Sequence, residues 1–189
     1  MAPWDDWYHV MGHTYGTWLP GDPKGFRTRA PREHVEGDYR NPPPEGMYEG
    51  LYEHAKGAMK REPVHLDRAQ RQRALDEVVA SLQRRRFELE VVSVDAIHLH
   101  GLVRCPDRDP KRWVGIAKKE SSHYCKQTGH APEGGIWAKG CKCLPVRDQS
   151  HWYNVRKYIR DHRLKGAVVW LYVPDPGMQA FDPDSLHLE

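Results

Sequence analysis

Two short runs of strand-forming residues, 87–94 and 97–104, follow one another with only Asp95 and Ala96 between them. A break this short joins two strands as an antiparallel hairpin and leaves no room for a crossover. Helical patterns flank the pair. One begins at a predicted N-cap, Asp67, and runs to residue 86, and the other begins at Asp109-Pro110. The hairpin between two helices is the feature that most restricts the possible folds.

The rest of the chain supplies the outer elements. We predict a first strand over residues 8–19, a short strand over 143–146, a last helix from near Ser150 to Gly166 and a final strand over 167–173. The core order βαββαβ predicts an α+β, ferredoxin-like fold with an antiparallel sheet and helices on one face. The last helix, which carries Tyr158, is an addition to that core.

The 189 residues predict a single domain, 1–189, with an irregular insertion at about 20–65 and a tail at about 174–189. Residues 20–46 hold six prolines and four glycines, which is typical of irregular structure. No apolar run approaches the roughly 18 residues that span a bilayer, so no membrane partner is expected. The four cysteines are too few and too irregular for a disulfide framework, and the beginning of the chain does not look like a secretory signal. A cytoplasmic protein is therefore predicted.

Two histidines alternate with apolar residues in the second hairpin strand. The strand period of two sends His98 and His100 to one face and Leu99 to the other. Two imidazoles at this spacing are close enough to bind one divalent metal ion through their ring nitrogens. Taken alone, the pattern is more typical of two histidines on a solvated strand face.

The last helix carries a second candidate group. Tyr158 and His162 are four residues apart and therefore lie on one helix face, with Cβ atoms roughly 5–6 Å apart. The basic side chains around them suit contacts with phosphate; they are Arg156, Lys157, Arg160 and Arg163. A half-buried tyrosine and a histidine favoured by the helix dipole would give the same pattern.

These residues resemble the single-tyrosine transposases of the HUH class, which mobilise the smallest bacterial insertion sequences and include the REP-associated tyrosine transposases. His98-Leu99-His100 matches the histidine–hydrophobic–histidine motif of that family, and Tyr158-Ile159-Arg160-Asp161-His162 matches its tyrosine helix. The resemblance covers about residues 8–19 and 66–172. The family usually has glutamine or asparagine four residues after the tyrosine, where this chain has His162.

The resemblance implies a metal-dependent transposase or single-strand endonuclease that cleaves and rejoins DNA through a 5′-phosphotyrosine intermediate. It implies Tyr158 as the nucleophile, His98, His100 and His162 as the ligands of a divalent ion, Mg²⁺ or Mn²⁺, and single-stranded DNA with a hairpin as the substrate. The backbone of that DNA is expected to contact Lys118 and Lys119 of the preceding helix as well as the four basic residues of the last one. The resemblance also raises a homodimer, with the tyrosine acting in cis or in trans.

Three other functions remain open at this point. One is a domesticated host protein that binds or nicks repetitive palindromes, and another is a rolling-circle initiator or relaxase-type nicking enzyme. Both would use the same motifs. A catalytically silent DNA-binding protein would carry the histidines without the chemistry. The silent protein predicts no covalent adduct with DNA, whereas the enzymes predict one.

Overall fold

The computed structural model describes residues 4–23, 26 and 44–173. Its strands are β1 (Trp7–His13), β2 (Glu88–Val94), β3 (His98–Arg104), β4 (Lys142–Pro145) and β5 (Val168–Leu171). Its α-helices are α1 (Glu49–Gly57), α2 (Arg68–Arg84), α3 (Pro110–Gln127) and α4 (Gln149–Asp161), and a 3-10 helix (His162–Lys165) continues α4.

The strands form one sheet in the order β4-β1-β3-β2-β5, and every neighbouring pair is antiparallel. The first four strands have the order that a βαββαβ chain forms in the ferredoxin-like fold, and β5 extends the sheet beside β2. The predicted hairpin is β2 and β3, with Val94 paired to Leu99. The predicted fold class is therefore confirmed.

Helices α2 and α3 cover one face of this sheet. The side chains of Val10, Leu99 and Val103 point to that face and join the buried core that both helices contribute to. Asp67 caps α2, since its carboxylate accepts from the backbone N–H of Gln70 while the Gln70 side chain accepts from the backbone N–H of Asp67. These two helices on one face agree with the prediction.

Helix α4 packs on the opposite face, against β2 and β3. Its buried residues, Val155 and Ile159, form a smaller apolar cluster with Trp7, Val91 and Leu102 of the sheet. In the described residues the sheet therefore lies between two helical layers, and α4 is the helix of the second layer. The tyrosine that was singled out in the sequence lies on that helix.

Two boundaries differ from the sequence-based expectation. The first strand ends at His13 rather than near residue 19, since Thr14 makes only an isolated bridge to Trp137 and a turn follows. The insertion at 20–65 is not wholly irregular, because it contains α1, a helix with no buried residue. The predicted tail at 174–189 lies outside the described residues. Nowhere in 4–23, 26 and 44–173 is a helix long and apolar enough to cross a membrane.

Candidate functional site

Strands β1 and β3 place a row of histidines on the α4 face of the sheet. His98 and His100 share that face, with ring centroids 6.0 Å apart, as the alternation in the sequence predicts. The antiparallel register pairs His13 with His98 and Met11 with His100, and directly paired residues point to the same face. Alternation along β1 then brings His9 to this face as well.

Helix α4 presents Tyr158 and His162 to the same row. Asp148 begins the helix by accepting a hydrogen bond from the backbone N–H of His151 at 2.7 Å. His162 is the first residue of the 3-10 helix but keeps right-handed helical dihedrals, so its ring stays near that of Tyr158, with centroids 4.7 Å apart. Gly166, at φ +86°, ends the turn in the left-handed region that favours glycine.

The tyrosine and the histidines meet where α4 crosses β3. The ring centroid of His100 is 4.6 Å from that of His162 and 5.5 Å from that of Tyr158. His100 and His162 are buried, whereas Tyr158 is 48% exposed. The structure thus brings together Tyr158, His98, His100 and His162, and it leaves the tyrosine ring accessible to a large substrate.

Two histidines of β1 that the sequence analysis did not select belong to the same cluster. His9 Nε2 lies 3.3 Å from His100 Nδ1, a hydrogen bond between two ring nitrogens, and its ring is 5.9 Å from Tyr158. The ring of His13 is 4.8 Å from that of His98. The available signal was the spacing of His9 and His13 on a first strand that pairs with the histidine strand in this fold.

Asp95, in the turn between β2 and β3, orients His98. One carboxylate oxygen accepts from the backbone N–H groups of Ile97 and His98, at 2.7 and 2.5 Å. The other oxygen is 3.3 Å from Nδ1 of the His98 ring. Each of the two β3 histidines therefore has its Nδ1 engaged, His98 by a carboxylate and His100 by His9, and in each the Nε2 atom is on the far side of the ring.

Burial keeps most of these imidazoles uncharged. It lowers the pKa of His9 and of His13 to about 4 and that of His100 to about 2, and the positive charges that neighbouring residues would carry act in the same direction. Burial also lowers the pKa of His162. For Asp95 burial acts to raise the pKa, but the hydrogen bonds from His98 and Ile97 outweigh it and bring the pKa to about 2.

The histidines of this cluster are of the type that binds metal ions, but they do not surround a common point. Neutral imidazoles are the form that binds metal ions, and the buried Nδ1 of His13 and Oγ of Ser93, which is paired with His100 across the strands, have no hydrogen-bond partner among the described residues. In the same part of the chain, no three or more His, Cys, Asp or Glu side chains are arranged so that they could hold an ion. The side chains are thus of the types that bind divalent ions, but their arrangement in these residues is not that of a metal site.

The predicted basic residues lie on α4 and on the 3-10 helix that continues it, and three of them form ion pairs. Arg156 bonds Glu90 of β2 through Nε at 2.5 Å. Asp161 accepts from Lys157 at 2.8 Å and from Arg160 at 3.3 Å, and the Lys157 bond is the main cause of its lowered pKa. Arg163 is exposed on the 3-10 helix.

The two lysines of α3 do not lie beside them. Lys119 is exposed, but α3 is on the other face of the sheet from α4. Lys118 is only 4% exposed, and its ammonium group donates to the carbonyl oxygens of Ala138 and Gly140. The expected phosphate contact of Lys118 does not fit this position, because Lys118 shares the buried side of α3 with Val114 and Ser121.

Comparisons with known proteins found a distant likeness among solved structures. No protein-family model matches the chain, and no curated protein matches it. Among solved structures, the chain is similar to a REP-associated tyrosine transposase bound to a REP hairpin, with a TM-score of 0.49 and 15% sequence identity. The likeness covers 85% of this chain and 68% of that one.

Proposed function

We propose that the protein cleaves and rejoins single-stranded DNA, with Tyr158 as the nucleophile. The observation that carries this proposal is the position of Tyr158, a half-exposed phenol whose ring is 4.7 Å from His162 and 5.5 Å from His100. Attack of the phenolic oxygen on a DNA phosphorus forms a 5′-phosphotyrosine and releases a 3′-hydroxyl. Attack of a 3′-hydroxyl on the same phosphorus reverses the step, since phenolate is a good leaving group.

The histidines His98, His100 and His162 are the proposed ligands of a divalent ion. When bound, such an ion supplies Lewis-acid polarisation and positioning of the scissile phosphate. The lowered pKa values of His100 and His162 favour this role, because a protonated imidazole has no lone pair to donate. Three imidazoles form a softer set than two imidazoles and an amide, so Mn²⁺ is expected to support cleavage better than Mg²⁺.

Asp95 and His9 set the tautomers of the two β3 ligands. When His98 donates its Nδ1–H to Asp95, its Nε2 carries the lone pair. When His100 donates its Nδ1–H to His9 Nε2, its Nε2 is likewise the donor atom that remains. Both β3 histidines are then able to bind an ion through Nε2.

The proposed substrate is single-stranded DNA beside a hairpin. A nucleophile on a helix surface needs a phosphate with a flexible, accessible backbone, and a single strand provides it. Arg156, Lys157, Arg160 and Arg163 flank Tyr158 in the sequence and suit the backbone on either side of the scissile bond. Lys119 would contact only DNA that reaches round the sheet, and we leave Lys118 out of the proposed set.

Covalent capture tests this proposal. The full chain is incubated with a 3′-labelled pool of single-stranded oligonucleotides that carry a hairpin and a randomised flank, with Mn²⁺, and the products are separated under denaturing conditions. The wild type and Tyr153→Phe, a matched change on the same helix, are expected to form a labelled adduct, and Tyr158→Phe is expected to form none while still binding DNA. An adduct with Tyr158→Phe, or a wild type that binds DNA without forming an adduct, contradicts the proposal.

A further inference from the structure

Two thiols meet beside a buried lysine on the face of the sheet away from Tyr158. Cys141 and Cys143 are separated by one residue, Lys142, at the start of β4, and their Sγ atoms are 3.6 Å from each other. Both side chains are half-buried, whereas Cys105 and Cys125 are fully buried. The pair is therefore the only place in the described part of the chain where two partly accessible thiols touch.

The lysine is Lys118 of α3. Its chain crosses β1 at Gly12, where a Cβ would come within 3.5 Å of the ammonium nitrogen, and its ammonium group bonds two loop carbonyls. No carboxylate forms an ion pair with Lys118 within residues 4–23, 26 and 44–173, and a buried charge without an opposite charge is costly. Burial lowers the pKa of Lys118, and a negative charge on the neighbouring thiol pair acts against this shift.

We propose that Cys141 and Cys143 form a redox-active dithiol, which a low-molecular-weight disulfide oxidises reversibly to an intrachain disulfide. The proposal concerns a site separate from Tyr158 and does not depend on the DNA chemistry. The following steps use only the two thiols, the lysine beside them and the external disulfide.

Cys141 is the attacking thiol. Either thiol of the pair can donate the hydrogen bond between them. When Cys143 donates it, this bond and the positive charges of Lys118 and Lys111 lower the pKa of Cys141 to about 7, although burial opposes the fall. The same hydrogen bond raises the pKa of Cys143, which keeps its proton. At neutral pH about half of the Cys141 side chains are therefore thiolates, and the thiolate is the nucleophile in disulfide exchange.

Two exchanges complete the oxidation. The Cys141 thiolate attacks one sulfur of the external disulfide, a Cys141–S–S–R bond forms, and one R–S⁻ leaves. The hydrogen bond that held the proton of Cys143 is then gone. Deprotonated Cys143 attacks the Cys141 sulfur and expels the second R–S⁻. The two protein thiols lose two electrons and two protons, and the external disulfide gains them as two thiols.

The backbone allows the bond. Two residues of a strand span about 6.6–6.8 Å, which is at the upper end of the Cα separations that disulfides bridge. Cys141 precedes the first paired residue of β4, and β4 is an edge strand of the sheet. The segment can therefore shorten slightly, and a bond at this limit is expected to be readily reduced again.

The test uses the reduced full chain and oxidised glutathione as the probe, at neutral pH. Free thiols are then blocked with N-ethylmaleimide and the peptides that keep Lys142 uncleaved are analysed by mass spectrometry. We expect a loss of two hydrogens across Cys141 and Cys143, reversed by dithiothreitol, with Cys105 and Cys125 unchanged. Cys143→Ser is expected to stop at one glutathionyl group on Cys141. A wild type that stays reduced, or that stops at the mixed disulfide, overturns the proposal.

Lys118→Met tests the lysine, because it keeps an unbranched side chain and removes the charge. Closure is expected to slow about tenfold, since the thiolate fraction at pH 7 falls with a rising pKa. The matched control is Lys119→Met, which removes the same charge from the exposed side of α3 and is expected to close at the wild-type rate. Equal rates for both variants overturn the role of Lys118.

A measurement on the unmodified chain covers the case in which Lys118→Met does not fold. The rate of Cys141 alkylation by iodoacetamide is followed from pH 5 to 10, with Lys111, Lys118 and Cys143 as the titratable groups that face it. A midpoint near pH 7 supports the proposal. A midpoint at or above the ordinary thiol value of about 8.5 overturns it.

Discussion

The two faces of the central strand, β3, have different roles. On one face Leu99, Gly101 and Val103 pack against α2 and α3 in the main core, and on the other His98, His100 and Leu102 face α4. Both faces are largely buried, but only the second carries polar rings. One strand therefore supports folding with one set of alternate residues and places the candidate chemistry with the other.

Burial has a different effect on each of the two faces. On the core face burial of apolar surface stabilises the fold, and Leu99 is 1% exposed. On the site face burial keeps His9 and His100 uncharged, which costs stability whenever the pH favours their protonated form. The stability of the site face is therefore expected to depend on pH.

The largest expected effect is on the core face. Leu99→Ala removes a fully buried side chain and leaves a cavity, so we expect the free energy of unfolding to fall by about 3 kcal/mol. The matched change on the site face is His98→Ala, a partly exposed residue, for which we expect a fall of less than about 1 kcal/mol. Urea unfolding at pH 7 measures both. Equal losses would remove the distinction between the faces.

A smaller loss is expected where the core face has no room. A Cβ at Gly101 would lie 3.1 Å from Val10 Cγ2 and 3.4 Å from Val103 Cγ2, so Gly101→Ala is expected to cost about 1–3 kcal/mol. Gly115→Ala is the control, because a Cβ there meets nothing within 4 Å in the middle of α3. That variant is expected to be more stable by about 0.5–1 kcal/mol. Thermal unfolding of both variants measures whether each change lowers or raises the stability.

The site face is expected to lose stability in acid. The pKa of His9 and of His13 is about 4 in the folded chain and 6.5 in the unfolded chain, so the unfolded chain binds more protons between these values. The contribution of these two histidines to the free energy of unfolding is therefore fully present above pH 6.5 and is lost as the pH drops toward 4. At pH 5 the loss is roughly 1–2 kcal/mol per histidine. Urea midpoints from pH 7 to 4.5 measure the slope.

Variants test whether the change of stability with pH comes from the histidines of the site face. The double variant His9→Gln, His13→Gln is expected to have a shallower slope, and His54→Gln, on the exposed helix α1, is expected to keep that of the wild type. An unchanged slope in the double variant would contradict the assignment.

The smallest effect on stability is expected at Asp95. Asp95→Asn keeps an oxygen for the backbone N–H groups of Ile97 and His98 and replaces the acceptor that faces the His98 ring by a donor. We expect a loss of about 1 kcal/mol at pH 7. The stability that the charged Asp95 side chain contributes is present above pH 3.8 and is lost as the pH falls through about 2. The difference in stability between the wild type and Asp95→Asn therefore shrinks in acid.

Nitrogen-15 NMR of the His98 ring in Asp95→Asn is expected to show that the proton has moved from Nδ1 to Nε2. An unchanged tautomer contradicts the role of Asp95.

Much of the fold could be predicted because local patterns agreed with one another. The hairpin of β2 and β3, the caps at Asp67 and Asp109 and the burial of Val155 and Ile159 follow from period and capping residues. Helix α1 was not predicted because the Pro- and Gly-rich residues 20–46 before it indicated irregular structure, and none of its own residues is buried. The first strand was predicted too long because aromatic residues after His13 lie in turns rather than in the sheet.

The site could be predicted only within single elements. Alternation placed His98 with His100, and helical spacing placed Tyr158 with His162, and both pairs are close in the structure. The contribution of His9 depends on the register between β1 and β3, which no local pattern reveals. Lys118 was assigned to a surface because of its charge, although its spacing of four from Val114 and of seven from Cys125 places it on the buried side of α3.

The division of work along β3 is tested most directly by two neighbouring variants measured in two ways, by covalent capture of single-stranded DNA and by urea unfolding. We expect His100→Leu to abolish the covalent adduct while its free energy of unfolding at pH 7 stays within about 1 kcal/mol of the wild type. We expect Leu99→Val to lose about 1 kcal/mol of stability and to keep the adduct. An adduct that survives in His100→Leu, or one that is lost in a folded Leu99→Val, would contradict the assignment of chemistry to one face and packing to the other.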